Sequence, residues 1–281
     1  MIWNIITDSS CDLHELSWKD NKNEIRFFSV PFIISVGEKD YIDDEAININ
    51  ELVDEMEKPE NVSHTSCPAP NAWLDLFRME GNIIAITISR ELSGSYNSAC
   101  VARDMLKEEQ PDKNIAIVNS ISAGPGLAMQ ARRICANIQK GMDFSSVERA
   151  AEADMHAYRT IFALCSFNNL VKNGRMSPII GFIARKLGFW GIGVASSIGT
   201  IEIVGKTRGA KKALAHISDD FQKWGKPIRH LIISHCQNPE LAESLKEIVH
   251  AQWQNAIVEI HETRGLCSYY AERHGLIITY C

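Results

Sequence analysis

IIAITISRELSGSYNSACVARDML, residues 83–106, decides the fold class. Ile83 to Ser89 is a run of isoleucines broken only by Ala85 and Thr87 before its terminal serine, the composition of a buried strand. From Ser95 to Glu109 the apolar residues recur at three- to four-residue spacing, which predicts a helix. Between the two lies a short polar loop containing Leu92, Ser93 and Gly94. A strand that runs through such a loop into a helix is half of a crossover unit, and crossover units align strands in parallel.

The same alternation extends in both directions. Trp3 to Ile6, Ile25 to Ser35, Ile115 to Asn119, Ile161 to Cys165, Gly193 to Ser197, Ile201 to Val204, His230 to Ser234, Ile257 to Ile260 and Leu276 to Tyr280 read as strands. Asn50 to Lys58, Ala72 to Met79, Gly126 to Gly141, Val147 to Tyr158, Arg208 to Trp224 and Pro239 to Trp253 read as helices. The pattern predicts an α/β protein with largely parallel strands. At 281 residues the chain favours two domains over one or three. The boundary is expected just after Tyr158. Residues 1–159 then form an N-terminal α/β domain with a mostly parallel sheet flanked by helices, and residues 160–281 form a second α/β domain.

Composition excludes several classes. The 29 basic and 35 acidic residues are interleaved, net charge −6, so no basic stripe offers itself to nucleic acid. The opening MIWNIITDSSCDL carries Asp8 where a signal peptide is most apolar, and the apolar-leaning segment 176–197 is interrupted by Arg185 and Lys186. No membrane span and a cytoplasmic location are expected. No two of the eight cysteines form a C-x-x-C pair, and most lie in apolar runs such as IFALCSF. They read as free thiols in a reducing compartment, and no metal or other cofactor is expected.

Three polar motifs follow predicted strands directly: ITDSSCDL (6–13), ITISRELSGSYNSA (86–99) and VNSISAGPG (118–126). In open α/β sheets the carboxyl ends of the strands form the ligand crevice, where helix N-termini favour an anion. Ser93, Gly94 and Ser95 stand at a helix start: the serines can cap it, and Gly94 permits close backbone approach to a ligand. Thr65 and Ser66 form a second hydroxyl pair in SHTSCPAPNAWLDLF (63–77), ahead of a helix starting at Pro70 or Asn71. Cys67 beside that helix, or Ser93, can also be read as the nucleophile of a hydrolase or acyltransferase. Against this, no G-x-S-x-G elbow occurs, and His64 is poorly placed as a base on a proline-stiffened loop. Nucleotide-binding glycine motifs are absent as well. A regulatory module binding another small ligand is the third reading.

Taken in order, these loops resemble the DegV family of bacterial fatty-acid-binding proteins. The resemblance rests on IITDSSCDL (5–13), HTSCPAP (64–70), ITISRELSGSYNSA (86–99), SISAGPGLA (120–128), LVKNGRMS (170–177), KTRGAKKAL (206–214) and ISHCQNPELAESL (233–245). It implies a two-domain α/β protein that is not itself an enzyme. Such a protein holds a long-chain fatty acid in a tunnel and presents it to a separate fatty-acid kinase. It further implies that Thr65 and Ser93 bind the carboxylate and that Arg175 lies near the mouth. Burying about fourteen methylenes at about 0.8 kcal/mol each contributes on the order of 11 kcal/mol before ordering costs. Candidate tunnel walls are Ile179, Ile180, Phe182, Ile183, Leu187, Phe189 and Trp190.

Two departures from the family pattern are visible. Cys67 occupies the place of the glutamine in TSQP. The family's terminal G-x-H-x-G-P-G segment is replaced by RGLCSYYAERHGLIITY (264–280). Counting back from the last strand puts Ser268 where the carboxylate-binding histidine falls, so Ser268 is expected at the head group.

Overall fold

In the computed structural model, residues 1–19, 22–177 and 189–281 are described. β1 (Ile2–Asp8) pairs in parallel with β2 (Glu24–Val30), Ile2 opposite Glu24 and Asp8 opposite Val30. Sequence reading joined residues 25–35 into one strand. The chain instead breaks at Pro31, which has no N–H to give a ladder, and enters a second sheet. There β3 (Ile33–Val36) turns at Gly37, φ +60°, into β4 (Lys39–Ile42). α1 (Ile49–Met56) starts where the Asn48 side chain accepts the Glu51 N–H at 3.1 Å. β5 (Ser63–Ser66) then pairs antiparallel with β3.

Next come α2 (Pro70–Phe77), β6 (Asn82–Thr87), α3 (Ser95–Glu109), β7 (Ile115–Asn119), α4 (Pro125–Gln139) and α5 (Phe144–Ala153). The first sheet runs β2-β1-β6-β7 and is parallel throughout. Alternate side chains of its strands enter opposite cores, as the two-residue period demands. Ile5, Ile84, Ile86 and Val118 pack under α4 and α5. Ile6, Ile83, Ala85 and Ile117 pack under α2 and α3, against Trp73, Phe77 and Leu106. Burial on both faces explains why these strands read as nearly continuous apolar runs.

The remainder comprises β8 (Arg159–Leu164), α6 (Asn168–Lys172), β9 (Phe189–Ala195), β10 (Ile201–Arg208), α7 (Ala210–Lys223), β11 (His230–His235), α8 (Pro239–Gln252), β12 (Ile257–Glu262), α9 (Gly265–Ala271) and β13 (Leu276–Tyr280). Their six-stranded sheet runs β10-β9-β8-β13-β11-β12. Contrary to the expectation of largely parallel strands, only β11 and β12 pair in parallel here. A short hairpin joins β9 to β10, with Ser196 N–H on Thr200 O at 2.8 Å, and a two-stranded hairpin is antiparallel by construction.

One face of this sheet, with Ile161, Ala163, Ile192, Ile233 and Ile278, is covered by α7 and α8. The other face carries Thr160, Phe162, Leu164 and Ile277 and looks toward the loops of the parallel sheet. Among the described residues no helix is long and apolar enough to cross a membrane. Ile179, Ile180, Phe182, Ile183 and Leu187, expected as tunnel walls, lie outside the described residues. Trp190, another expected wall, is on β9 but packs on the α7 side, because it shares the face of Ile192 and Val194.

Candidate functional site

Asp8, at the carboxyl end of β1, organises the loops. Its Oδ1 accepts the Ser10 hydroxyl at 2.5 Å, and its Oδ2 accepts Ile88 N–H at 2.9 Å and the Ser95 hydroxyl at 2.6 Å. Burial pushes this carboxyl up, while the same hydrogen bonds oppose the shift. Ser95 is thereby committed to the scaffold: it is fully buried and does not line the cavity described below. Its backbone N–H is held by the Ser93 hydroxyl at 3.3 Å. A Cβ on Gly94 would lie 3.3 Å from Cys67 Sγ, so the Leu92–Ser95 loop touches the segment after Thr65. The Ser98 hydroxyl strengthens that junction by donating to Pro68 O at 2.5 Å.

Thr65 and Ser66 part company because they are neighbours on a strand. Thr65 turns inward, whereas Ser66 is exposed and takes no part in the cavity wall. Thr65 Oγ1 lies 2.8 Å from the hydroxyl of Tyr270, on α9. The preceding tyrosine, Tyr269, donates to the Ser63 hydroxyl at 2.9 Å, and the two rings meet edge to face at 5.0 Å. Both tyrosines therefore grip β5.

Sequence reading missed α9. Its N-terminal N–H groups are satisfied from far away: Asp43 accepts Gly265 N–H at 2.7 Å and Leu266 N–H at 2.9 Å. Arg264, only 2% exposed, donates to Asp43 O at 2.8 Å, Ser29 Oγ at 3.1 Å and Leu13 O at 3.3 Å, and its N–H reaches Asp12 at 3.0 Å. Burial raises the Asp43 carboxyl and the Arg264 charge opposes it. Burial likewise pushes Asp12 up to about 6.

Ser268, expected at the head group, is not on the cavity wall. It is fully buried and spends its hydroxyl on Thr263, 3.1 Å to the carbonyl oxygen and 2.7 Å to the hydroxyl. On a helix, residues 266 and 270 stack on one face and 268, midway between them, points to the opposite side; Leu266 and Tyr270 line the cavity and Ser268 does not. Tyr270 is the α9 residue that reaches Thr65.

These elements enclose about 850 Å³ of atom-free space, part of it continuous with solvent. The first half contributes Phe32, Thr65, Ile88, Leu92 and Ser93 to its wall. The six-stranded sheet contributes Phe162, Leu164, Ile201 and Ile277, and α9 contributes Leu266 and Tyr270. Arg175 stands on the same wall, exposed, with Nε donating to Leu92 O at 2.9 Å and the guanidinium also bonded to Asn173 O. The site thus unites Thr65, Ser93 and Arg175 and leaves Ser66, Ser95 and Ser268 outside. A wall that is mostly apolar, with a few fixed hydroxyls and a cation, suits an amphipathic ligand with an anionic end. Among the described residues no group of three or more His, Cys, Asp or Glu is placed to hold a metal ion.

The DegV family model, described as "Uncharacterised protein, DegV family", matches residues 2–278. A DegV domain-containing protein of Streptococcus pyogenes serotype M18 is 36% identical over 280 residues, covering 100% of this chain and 99% of its own. Among solved structures, the Streptococcus pneumoniae fatty acid kinase B3 protein, loaded with linoleic acid, superposes with a TM-score of 0.95. It is 34% identical and covers 100% of this chain and 99% of its own. A DegV family protein from Eubacterium eligens, loaded with heptadecanoic acid, gives a TM-score of 0.93 at 34% identity, covering 99% of each chain.

Proposed function

The chain belongs to the DegV family, and we propose that it holds one long-chain fatty acid in the cavity between its two halves and presents it to a separate fatty-acid kinase. One observation carries this reading. A chiefly apolar cavity has the hydroxyls of Thr65, Ser93 and Tyr270 and the Arg175 guanidinium on its wall. The relatives loaded with linoleic and heptadecanoic acids support it.

In this reading the two ends of the ligand are recognised differently. The Thr65 and Tyr270 hydroxyls bond each other when no acceptor is present. An entering carboxylate accepts a hydrogen bond from each hydroxyl, with Ser93 as a further donor and Arg175 as the cation at the rim. Gly94 and Ser95 act indirectly: Gly94 lets Cys67 pack against the loop, and Ser95 anchors it to Asp8. The tail needs only apolar walls, so burial dominates affinity and the polar groups set orientation. Residues 1–159 and 160–281 serve as two domains, with the cavity between the parallel sheet's loops and one face of the six-stranded sheet.

In this reading the protein carries its ligand, and the chemistry belongs to the separate kinase. No imidazole is hydrogen-bonded to Cys67 or Ser93 among the described residues, so neither nucleophile candidate has an observed base. The described cysteines are all free, which fits work in the reducing cytoplasm, where a kinase also finds ATP. Native mass spectrometry followed by solvent extraction tests the reading. One fatty acid per chain is the expected result; no bound lipid after incubation with saturated and unsaturated acids of several lengths would overturn it.

A further inference from the structure

β9 carries glycine at positions 191 and 193, and an aromatic ring from elsewhere fills the space above each. A Cβ on Gly193 would lie 2.2 Å from Phe162 Cζ and 2.5 Å from Cε2. One on Gly191 would lie 2.2 Å from Phe167 Cε2 and 2.3 Å from Cζ. No side chain fits at such distances, so both rings rest directly on the strand backbone. Phe162 and Gly193 are direct partners in the antiparallel β8–β9 ladder, which puts the ring and the missing side chain on the same face. Only one of the two rings bears on the cavity: Phe162 lines it and Phe167 does not.

We propose that the Phe162–Gly193 pair sets the length and shape of the acyl chain the cavity accepts. The inference rests on the fatty-acid reading above and goes a step further, to the residues that choose among fatty acids. Phe162 occupies the centre of the cavity-facing side of the sheet, between Thr160 and Leu164 on its own strand and opposite Ile277 on β13. With glycine at 193 the ring sinks toward the sheet. Any side chain there lifts it, and the β10 backbone closes the other side, since the same Cβ would meet Glu202 O at 2.9 Å. The open direction for the ring is the cavity. Each methylene that can no longer be buried lowers affinity about fourfold.

The test loads the intact chain with an equimolar ladder of saturated acids and reads the bound species by native mass spectrometry. Gly193→Ala is expected to shift the preferred length downward by about two carbons, and Phe162→Ala, which empties the ring's volume, upward by about two to four. Gly191→Ala displaces Phe167 and leaves the ladder in place. If Gly193→Ala does not fold, Phe162→Ala alone decides. Opposite shifts in the two variants, with none in Gly191→Ala, support the proposal. An unchanged ladder in Phe162→Ala, or an equal shift in Gly191→Ala, overturns it while the fatty-acid reading stands. Failure of the unaltered protein to bind any member of the ladder overturns both.

Discussion

Thr65 Oγ1 and the Tyr270 hydroxyl lie 2.8 Å apart across 205 residues of chain. The contact joins β5 to α9 on the wall of the cavity, and it places two hydroxyl protons where one acceptor can receive both. Neither residue is held there by its neighbours in sequence alone. β5 is fixed by its pairing with β3, and α9 by Asp43 and Arg264.

Loss of either hydroxyl should weaken head-group binding. Hydrogen bonds to a charged group are worth about 1.5–3 kcal/mol, so Thr65→Ala and Tyr270→Phe each reduce fatty-acid affinity by about ten- to a hundredfold. Displacement of a fluorescent fatty acid measures this. The double variant should lose less than the sum of the two, because each single change already disrupts the shared pair. Strict additivity would mean the two hydroxyls act on the ligand independently.

Arg264→Met should destabilise the whole chain. Arg264 Nε lies 4.0 Å from Asp43 Oδ1, and removing one partner of a buried ion pair costs about 3–5 kcal/mol, because the other charge is left uncompensated. Here Asp43 is fully buried, and its two backbone donors cannot replace a full positive charge. A lower urea midpoint checks this, with fatty-acid binding weakened in the same variant because α9 positions Tyr270. An unchanged midpoint would show that the pair is replaceable.

Cys67 should be the fastest thiol to react. It is the one exposed cysteine, while Cys11, Cys135, Cys236 and Cys267 are buried. Burial pushes the thiols of Cys11 and Cys135 up to about 12, which suppresses their thiolate. Titration with a coloured disulfide reagent should show one rapid equivalent, absent from Cys67→Ala. That variant should bind fatty acid within about twofold of the unaltered chain, since Cys67 is not on the cavity wall. A large loss of binding would give the thiol a role in the site.

The parallel half of the fold and two of the site hydroxyls were legible in the sequence, for local reasons. Isoleucine runs such as Ile83 to Ile88 announce strands buried on both faces, and Thr65 and Ser93 stand in polar segments just ahead of helices. What escaped depends on distant partners. SHTS is four polar residues with no apolar alternation, and it becomes β5 only by lying against β3. α9 begins at a glycine, and the acceptor for that N–H, Asp43, is 222 residues upstream. Counting back from the last strand puts Ser268 at the site, but a count along the chain carries no helical rotation. The helix rotates Tyr270 to the site and Ser268 away from it.

Stability should also respond to pH in a way that separates a buried carboxylate from a half-buried one. Asp12 is raised by burial from 3.8 to about 6 in the folded chain. A group bound more tightly to its proton when folded contributes stability fully below its unfolded value, and loses that contribution as pH rises through the folded value. At about 1.4 kcal/mol per unit the full shift amounts to about 3 kcal/mol, of which about 2.4 kcal/mol is lost between pH 4 and pH 7. Glu259 has the opposite sign. Burial raises it, but hydrogen bonds from His230 at 2.6 Å and His261 at 3.2 Å and the Arg132 charge outweigh burial and hold it well below 4.5. Its contribution is present above that value and is lost on acidification. Asp12→Asn keeps an acceptor for the Arg264 N–H but cannot titrate. The difference between its stability and that of the unaltered chain, from urea titrations at each pH, should therefore change by about 2.4 kcal/mol across this window, with the unaltered chain gaining on the acid side. A constant offset would show that the folded chain does not hold the Asp12 proton above its ordinary range.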